Sequence, residues 1–329
     1  MKPLRAAIVG LGWWGKTMVE SVQASSERIR FVKAATLDPA SVADFAARHG
    51  LDVVKGIDEV LADPRVDAVV LATPHSLHVG QIIAAARAGK PVFSEKPLAL
   101  TLAEARTAVA ACDAAGVVLG LGHDRRLLPA IRELKRLVAS SALGEIVHLE
   151  AQYSNDAMSR GLTGAWRAEE SEAPGGGMPG PGLHALDTLL FLGPKLERVC
   201  GRLNCARPFP KPVDSAALLL EFKGGATGLL GTVRGVPEFT RVHVFGTRGW
   251  AELRGFKSLT VQFLEMEPTQ QTFDPALNVG LMLDHFAKAV AGEETFPVST
   301  QAMLETVAAF EASVASMKQG RPVPVPVVC

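Results

Sequence analysis

The sequence predicts an α/β protein: an N-terminal doubly wound parallel sheet, then an α+β domain built on a large, mostly antiparallel open sheet. Three observations carry this. Short apolar strands alternate with helical segments as far as Gly122. A G-x-G-x-x-G run, Gly10-Leu11-Gly12-Trp13-Trp14-Gly15, stands between the first strand and the first helix. Beyond Gly122 the strands lengthen and alternate inside with outside, as half-exposed antiparallel strands do. The expected domains are 1–122 and 123–329.

The first strand is Leu4 to Val9, followed by a helix carrying Met18, Val19 and Val22 on one face. Between them the first glycine permits a tight turn, the second lets backbone approach a pyrophosphate, and the third lets helix pack closely on strand. The second strand, Arg30 to Leu37, ends at Asp38, 23 residues past Gly15. A carboxylate there can accept both hydroxyls of an adenosine ribose and would repel a 2′-phosphate; it can also cap the helix beginning at Pro39. No arginine follows Asp38 directly, which favours NAD, with NADP as the alternative. Ser41 to His49 is helical and stops at Gly50; Val53-Val54 is a strand; Asp58 is placed as the cap of a helix ending before Pro64. Asp67 to Ala72 reads as a buried strand running into Thr73-Pro74-His75, and Leu77 to Ala88 as a helix. Pro91-Val92-Phe93 leads into Ser94-Glu95-Lys96-Pro97. Thr101 with Glu104 forms a capping box for a helix stopping at Gly116, and Val117 to Leu121 is a sixth strand. In such sheets ligands collect outside the carboxyl ends of strands, where Glu95 and Lys96 stand.

In the second domain a helix over Pro129–Ser140 precedes strands at Ile146–Tyr153, Ala216–Phe222, Thr227–Val233, Arg241–Phe245 and Ala251–Arg254. Gly224-Gly225 is a hairpin turn signal. Helices over Leu281–Ala291 and Thr300–Lys318 close the chain.

Among the 329 residues, 34 Lys plus Arg balance 34 Asp plus Glu, so no basic field exists to hold nucleic acid. No apolar run is long enough to span a membrane. The first strand begins at Leu4, leaving no room for a signal peptide, and Cys112, Cys200, Cys205 and Cys329 fit neither a metal spacing nor a paired framework. A cytoplasmic protein with free thiols and no metal is expected.

Taken together, Gly10 to Gly15, Thr73-Pro74 with His78, Gly89-Lys90-Pro91, Glu95-Lys96-Pro97, Leu143-Gly144-Glu145-Ile146, Trp166-Arg167, Gly175-Gly176-Gly177 and Gly182-Leu183-His184-Ala185-Leu186-Asp187 resemble the glucose–fructose oxidoreductase / inositol dehydrogenase / MocA (Gfo/Idh/MocA) family over nearly the whole chain. The resemblance implies an NAD(P)-binding Rossmann domain, then a domain that shapes the substrate pocket and mediates homodimers or homotetramers. It implies an oxidoreductase acting on a sugar, cyclic polyol or related ring alcohol. Gly10, Gly12, Trp13, Trp14, Gly15, Asp38, Thr73, Pro74, His78 and Glu95 are the expected cofactor residues, although His78 also suits a helix cap. Lys96 resembles the family's catalytic lysine, which holds the reacting oxygen, and Pro97 resembles a proline often preceded by a cis bond.

His184 and Asp187 are three apart on an expected helix and share a face. A histidine can take a hydroxyl proton near neutral pH while Lys96 steadies the oxygen. Asp187 would orient the imidazole or bind another hydroxyl. Arg125, Trp166 and Arg167 are candidate substrate contacts; one of Arg125 and Arg126 reaches the pocket and the other arginine is solvated. Tyr153, the only tyrosine, is a candidate proton donor or a core residue. One departure stands out: the family usually has aspartate four residues before this histidine, and here that position is Gly180. Either Asp187 substitutes, or the substrate needs fewer hydroxyl contacts, or redox chemistry is lost. The alternatives to a dehydrogenase are a cofactor-binding regulatory protein without turnover and an NAD-using glycosidase.

Overall fold

A computed structural model describes residues 2–157, 165–207, 213–274 and 279–328. The chain divides into two units, Met1–His123 with Asn278–Val307, and Asp124–Leu277 with Ala308–Cys329. The first boundary falls one residue past Gly122. The return of 278–307 to the first unit departs from the contiguous division expected from sequence. Its cause is a long-range apolar contact: on the helix Val279–Val290, Phe286 meets Phe93 edge to face with centroids 5.8 Å apart. Asp284 on the same helix accepts from Ser26 Oγ, and Glu293 just beyond it pairs with Arg28.

In the first unit the elements are β1 (Leu4–Val9), α1 (Trp13–Ser25), β2 (Ile29–Ala35), α2 (Ala43–His49), β3 (Asp52–Val54), α3 (Ile57–Leu61), β4 (Ala68–Leu71), α4 (His78–Arg87), β5 (Val92–Ser94), α5 (Leu102–Ala115) and β6 (Leu119–Leu121). The six strands lie in the order β3-β2-β1-β4-β5-β6, all parallel. Their sequences are short apolar runs because both faces of a parallel sheet are covered; every residue of β4 is buried. The order reverses between β1 and β4, and the crevice at their carboxyl ends is where such sheets bind ligands. Thr101 accepts a hydrogen bond from the Glu104 N–H at the start of α5, and Gly50 and Gly116 end α2 and α5 at φ +65°. Two local expectations change. The cap of α3 is Gly56, with Asp58 in the first turn, where its charge still suits the helix dipole. Strand β2 stops at Ala35, with the Thr36 N–H making one last bond to the Val54 carbonyl of β3, and Leu37 beyond it is 87% exposed.

The second unit holds α6 (Pro129–Ala139), β7 (Ile146–Ser154), α7 (Leu183–Leu192), β8 (Leu196–Arg207), β9 (Val213–Phe222), β10 (Thr227–Arg234), β11 (Phe239–Gly246), β12 (Gly249–Arg254), β13 (Ser258–Phe263), β14 (Thr269–Thr272) and β15 (Val323–Pro324). Nine strands pair as β14-β13-β12-β11-β7-β10-β9-β8-β15, antiparallel except for β7 with β10. Along β9, Asp214, Ala216, Leu218, Leu220 and Phe222 face inward while Ala217, Leu219 and Glu221 face out. Gly224 and Gly225, both at positive φ, turn β9 into β10. Strands β8, β13, β14 and the two-residue β15 are additions to the expected set. The last six residues of β8 are all exposed and mix polar with apolar side chains, and β14 is Thr-Gln-Gln-Thr with all four residues exposed, so neither carries the alternation that marks a half-buried strand.

Candidate active site

The glycine turn can be tested position by position. Gly10 has φ +97°, and a Cβ there would lie 2.6 Å from the Ala72 carbonyl oxygen. A Cβ on Gly15 would lie 2.0 Å from the Gly10 carbonyl oxygen, so α1 can seat on β1 only with glycine at this point. A Cβ on Gly12 would meet nothing within 4 Å. Gly12 is the N-cap of α1, with no side-chain cap and no acidic residue in the first turn. Two glycines thus serve the fold, and the middle one keeps a helix N-terminus clear for a diphosphate, which fits the dinucleotide expectation. The expected outcome is a contrast between variants. Gly15→Ala lowers the unfolding temperature markedly, whereas Gly12→Ala keeps the wild-type melting curve and weakens NADH binding at least tenfold by calorimetry.

Trp13 is half exposed on the first turn of α1, its ring 5.4 Å from that of Trp14. Asp38 is exposed; one carboxylate oxygen accepts from the Ser41 N–H at 3.3 Å, but the N-cap of the short turn Ala40–Val42 is Pro39, so Asp38 stands just ahead of the cap. Thr73 donates to the Gln81 side chain at 2.6 Å, and Pro74 leads into the turn before α4. His78 is fully buried, its Nδ1 2.7 Å from the Pro97 carbonyl and its Nε2 3.1 Å from the Thr73 carbonyl. The ring therefore joins the loops that leave β4 and β5. It is the first residue of α4 and not its cap, which revises the capping alternative. Glu95 is buried, and its carboxylate lies 2.8 Å from where a Cβ on Gly122 would stand. It accepts from the Lys96 backbone N–H at 3.2 Å. Lys96 is half buried and the Lys96–Pro97 peptide is cis.

The second unit carries the other candidates. His184 sits in the first turn of α7, and Thr188 donates to its carbonyl at 2.8 Å. Tyr153 Oη lies 3.0 Å from Thr188 Oγ1, with its ring edge-on to Phe256 at 5.2 Å. Burial pushes the Tyr153 phenol well above its usual range, so it remains neutral and belongs to the core. Asp187 is engaged by Arg126: Nη2 lies 2.6 Å from Oδ1, and Nε lies 3.1 and 3.0 Å from the two oxygens. Both residues are buried, with the guanidinium 5.0 Å from the centre of the Phe191 ring. This corrects two expectations, because Arg126 is not solvated and Asp187 serves as its counter-ion. The carboxylate placed at His184 Nδ1 is that of Asp124, at 3.8 Å. Arg125 pairs with Asp124 at 3.1 Å and stands over Phe256 at 5.3 Å.

Gly180 has φ −87° and ψ −114°, and a Cβ there would meet nothing within 4 Å. The guanidinium of Arg167 stacks on Trp166 at 4.0 Å. Asp124 and Arg126 were missed as individual site residues. The available signal was the run Asp124-Arg125-Arg126, directly after His123 where β6 has ended; charged residues buried at the carboxyl edge of a parallel sheet need partners. No group of three or more metal-ligating side chains occurs among the described residues. No described helix is long and apolar enough to cross a membrane.

A parallel sheet in this order with a fitted glycine turn defines an NAD-binding Rossmann domain, here joined to a second, mostly antiparallel sheet domain. The chain belongs to the GFO/IDH/MocA oxidoreductase family: the NAD-binding Rossmann-fold profile of that family matches residues 4–123, and its C-terminal-domain profile matches residues 131–252. It is 29% identical to scyllo-inositol 2-dehydrogenase (NAD(+)) of Bacillus subtilis strain 168, over 97% of this chain and 96% of that protein. It is 30% identical to trans-1,2-dihydrobenzene-1,2-diol dehydrogenase of Oryctolagus cuniculus, over 72% of this chain and 70% of that protein. Levoglucosan dehydrogenase, in a structure with NADH and L-sorbose, matches in fold across 100% of both chains, with a TM-score of 0.88 and 22% identity.

Proposed function

We propose that this oxidoreductase interconverts a ring alcohol and its ketone on a sugar, cyclic polyol or related compound, with NAD as partner. The observation that carries the reading is the pairing, within one sheet, of a glycine turn open only at Gly12 with a half-buried lysine at the end of β5. The backbone of Gly10 to Gly15, with Trp13 and Trp14 beside it, would hold the diphosphate. Asp38 would take the adenosine ribose, and Thr73, Pro74 and Glu95 would flank the nicotinamide end. His78 acts on that end through the Thr73 and Pro97 carbonyls it joins. When bound, the nicotinamide accepts or supplies the hydride.

The chain's own residues manage charge and proton. Lys96 donates a hydrogen bond to the reacting oxygen and stabilises the negative charge that grows there. His184 takes the hydroxyl proton in oxidation and returns it in reduction. Arg125, Trp166 and Arg167 contribute to substrate selection, the arginines by binding substrate oxygens. Asp38 presents a carboxylate where a 2′-phosphate would sit, so NAD is preferred over NADP. On the outer face of the second sheet Leu219 and Leu229 are exposed and pair across β9 and β10, an apolar patch suited to a homodimer or homotetramer.

The test is reduced-cofactor fluorescence with scyllo-inositol, levoglucosan and a trans-dihydrodiol, run with NAD and with NADP. Turnover of at least one alcohol, faster with NAD, is expected. Cofactor binding without turnover of any would support instead a regulatory binding protein, and sugar release without net NADH a glycosidase.

A further inference from the structure

Resting on the proton-transfer role of His184, we propose that Asp124 is the carboxylate that orients this imidazole, supplying from the end of β6 what Gly180 lacks. Asp124 is buried in the short turn Asp124–Leu127. Its Oδ2 accepts from Arg125. Its Oδ1 is buried, has no hydrogen-bond partner among the described residues, and lies 3.8 Å from His184 Nδ1. A buried carboxylate oxygen without a donor needs an explanation, and a small rotation of the imidazole would bring Nδ1–H within bonding distance. The other nearby carboxylate, Asp187, already accepts from Arg126 through both oxygens.

The surroundings fit a positioning role. Thr188 and Tyr153 fix the carbonyl of His184, so the turn that carries the ring is set by hydrogen bonds that do not involve the imidazole. Arg125 balances part of the Asp124 charge, and its own Nε is buried without a partner among the described residues. Among the described residues of the second unit, the charged and titratable groups near this turn include Asp124 and Arg125, the Arg126–Asp187 pair, and Tyr153, which burial keeps neutral. A hydrogen bond from Nδ1–H to Asp124 fixes the tautomer and leaves Nε2 as the atom that exchanges a proton with substrate. The open space at Gly180 then remains for the substrate ring, so an altered substrate shape goes with a retained acid–base pair.

The experiment follows the imidazole itself. Full-length protein carrying isotope-labelled histidine is saturated with NADH, and the His184 resonances are assigned by their loss in His184→Gln. In the wild type, neutral His184 should show a protonated Nδ1 and a bare Nε2. In Asp124→Asn its titration midpoint should fall by about one pH unit, as expected when an opposite charge within ~4–6 Å is removed. A wild-type ring protonated on Nε2, or an Asp124→Asn midpoint equal to the wild-type value, would overturn the pairing; the tautomer is read on wild-type protein and does not depend on the variant folding. If the tautomer and shift are found but no alcohol is turned over, the pairing stands and the hydride-transfer reading fails.

Discussion

Lys96→Met is expected to reduce turnover by about a thousandfold while NADH binding and the melting temperature remain close to wild type. On the proposed reading, the reacting oxygen gains negative charge as hydride leaves carbon, and Lys96 would lower that barrier as a cationic donor. Methionine keeps the length of the side chain and removes the charge. The turn that carries Lys96 is set by other groups: the Glu95 N–H donates to the Leu71 carbonyl at 2.9 Å, and His78 lies against the Pro97 carbonyl. Lys96→Arg should restore little activity, because a broad planar guanidinium does not place a point charge where an ammonium does. Steady-state kinetics beside calorimetry checks this; an equal loss of NADH affinity would assign Lys96 to cofactor binding.

Arg126→Leu is expected to cost about 3–5 kcal/mol of stability, the usual result of leaving a buried carboxylate without its counter-ion. Asp187 is 1% exposed and receives three close N–H contacts from this one guanidinium. Thermal unfolding should show a loss of about ten degrees for a unit of this size. Asp187→Asn should also destabilise, because it leaves the buried Arg126 cation without its counter-ion, although an amide oxygen still accepts one of its N–H groups. A change below about 1 kcal/mol for Arg126→Leu, the level of an exposed pair, would mean that the ion pair contributes little to the fold.

Much of the first unit was legible because its signals are local. Gly10, Gly12 and Gly15 bracket a strand and a helix within a few residues, Thr101 and Glu104 cap a helix together, and Glu95-Lys96-Pro97 closes an apolar strand. What escaped depends on residues far apart in sequence. Arg126 meets Asp187 across 61 positions, and Asp124 meets His184 across a similar span. Helical spacing put Asp187 beside His184, and nothing local revealed that an arginine before α6 would claim it. The helix Val279–Val290 joined the first unit through Phe286 and Phe93, a contact no periodicity encodes. Strands such as β14 escaped because their residues are polar on both faces.

The central proposal, carried from the family resemblance, is that Lys96 and His184 act on a single substrate hydroxyl. A double-variant cycle tests it most directly, with kcat/KM measured for Lys96→Met, His184→Gln and the pair on whichever alcohol of the panel is turned over. Residues working as one unit lose most of their effect together, so the double variant should be little slower than the slower single variant. Losses that multiply, as they do for independent sites, would contradict the account.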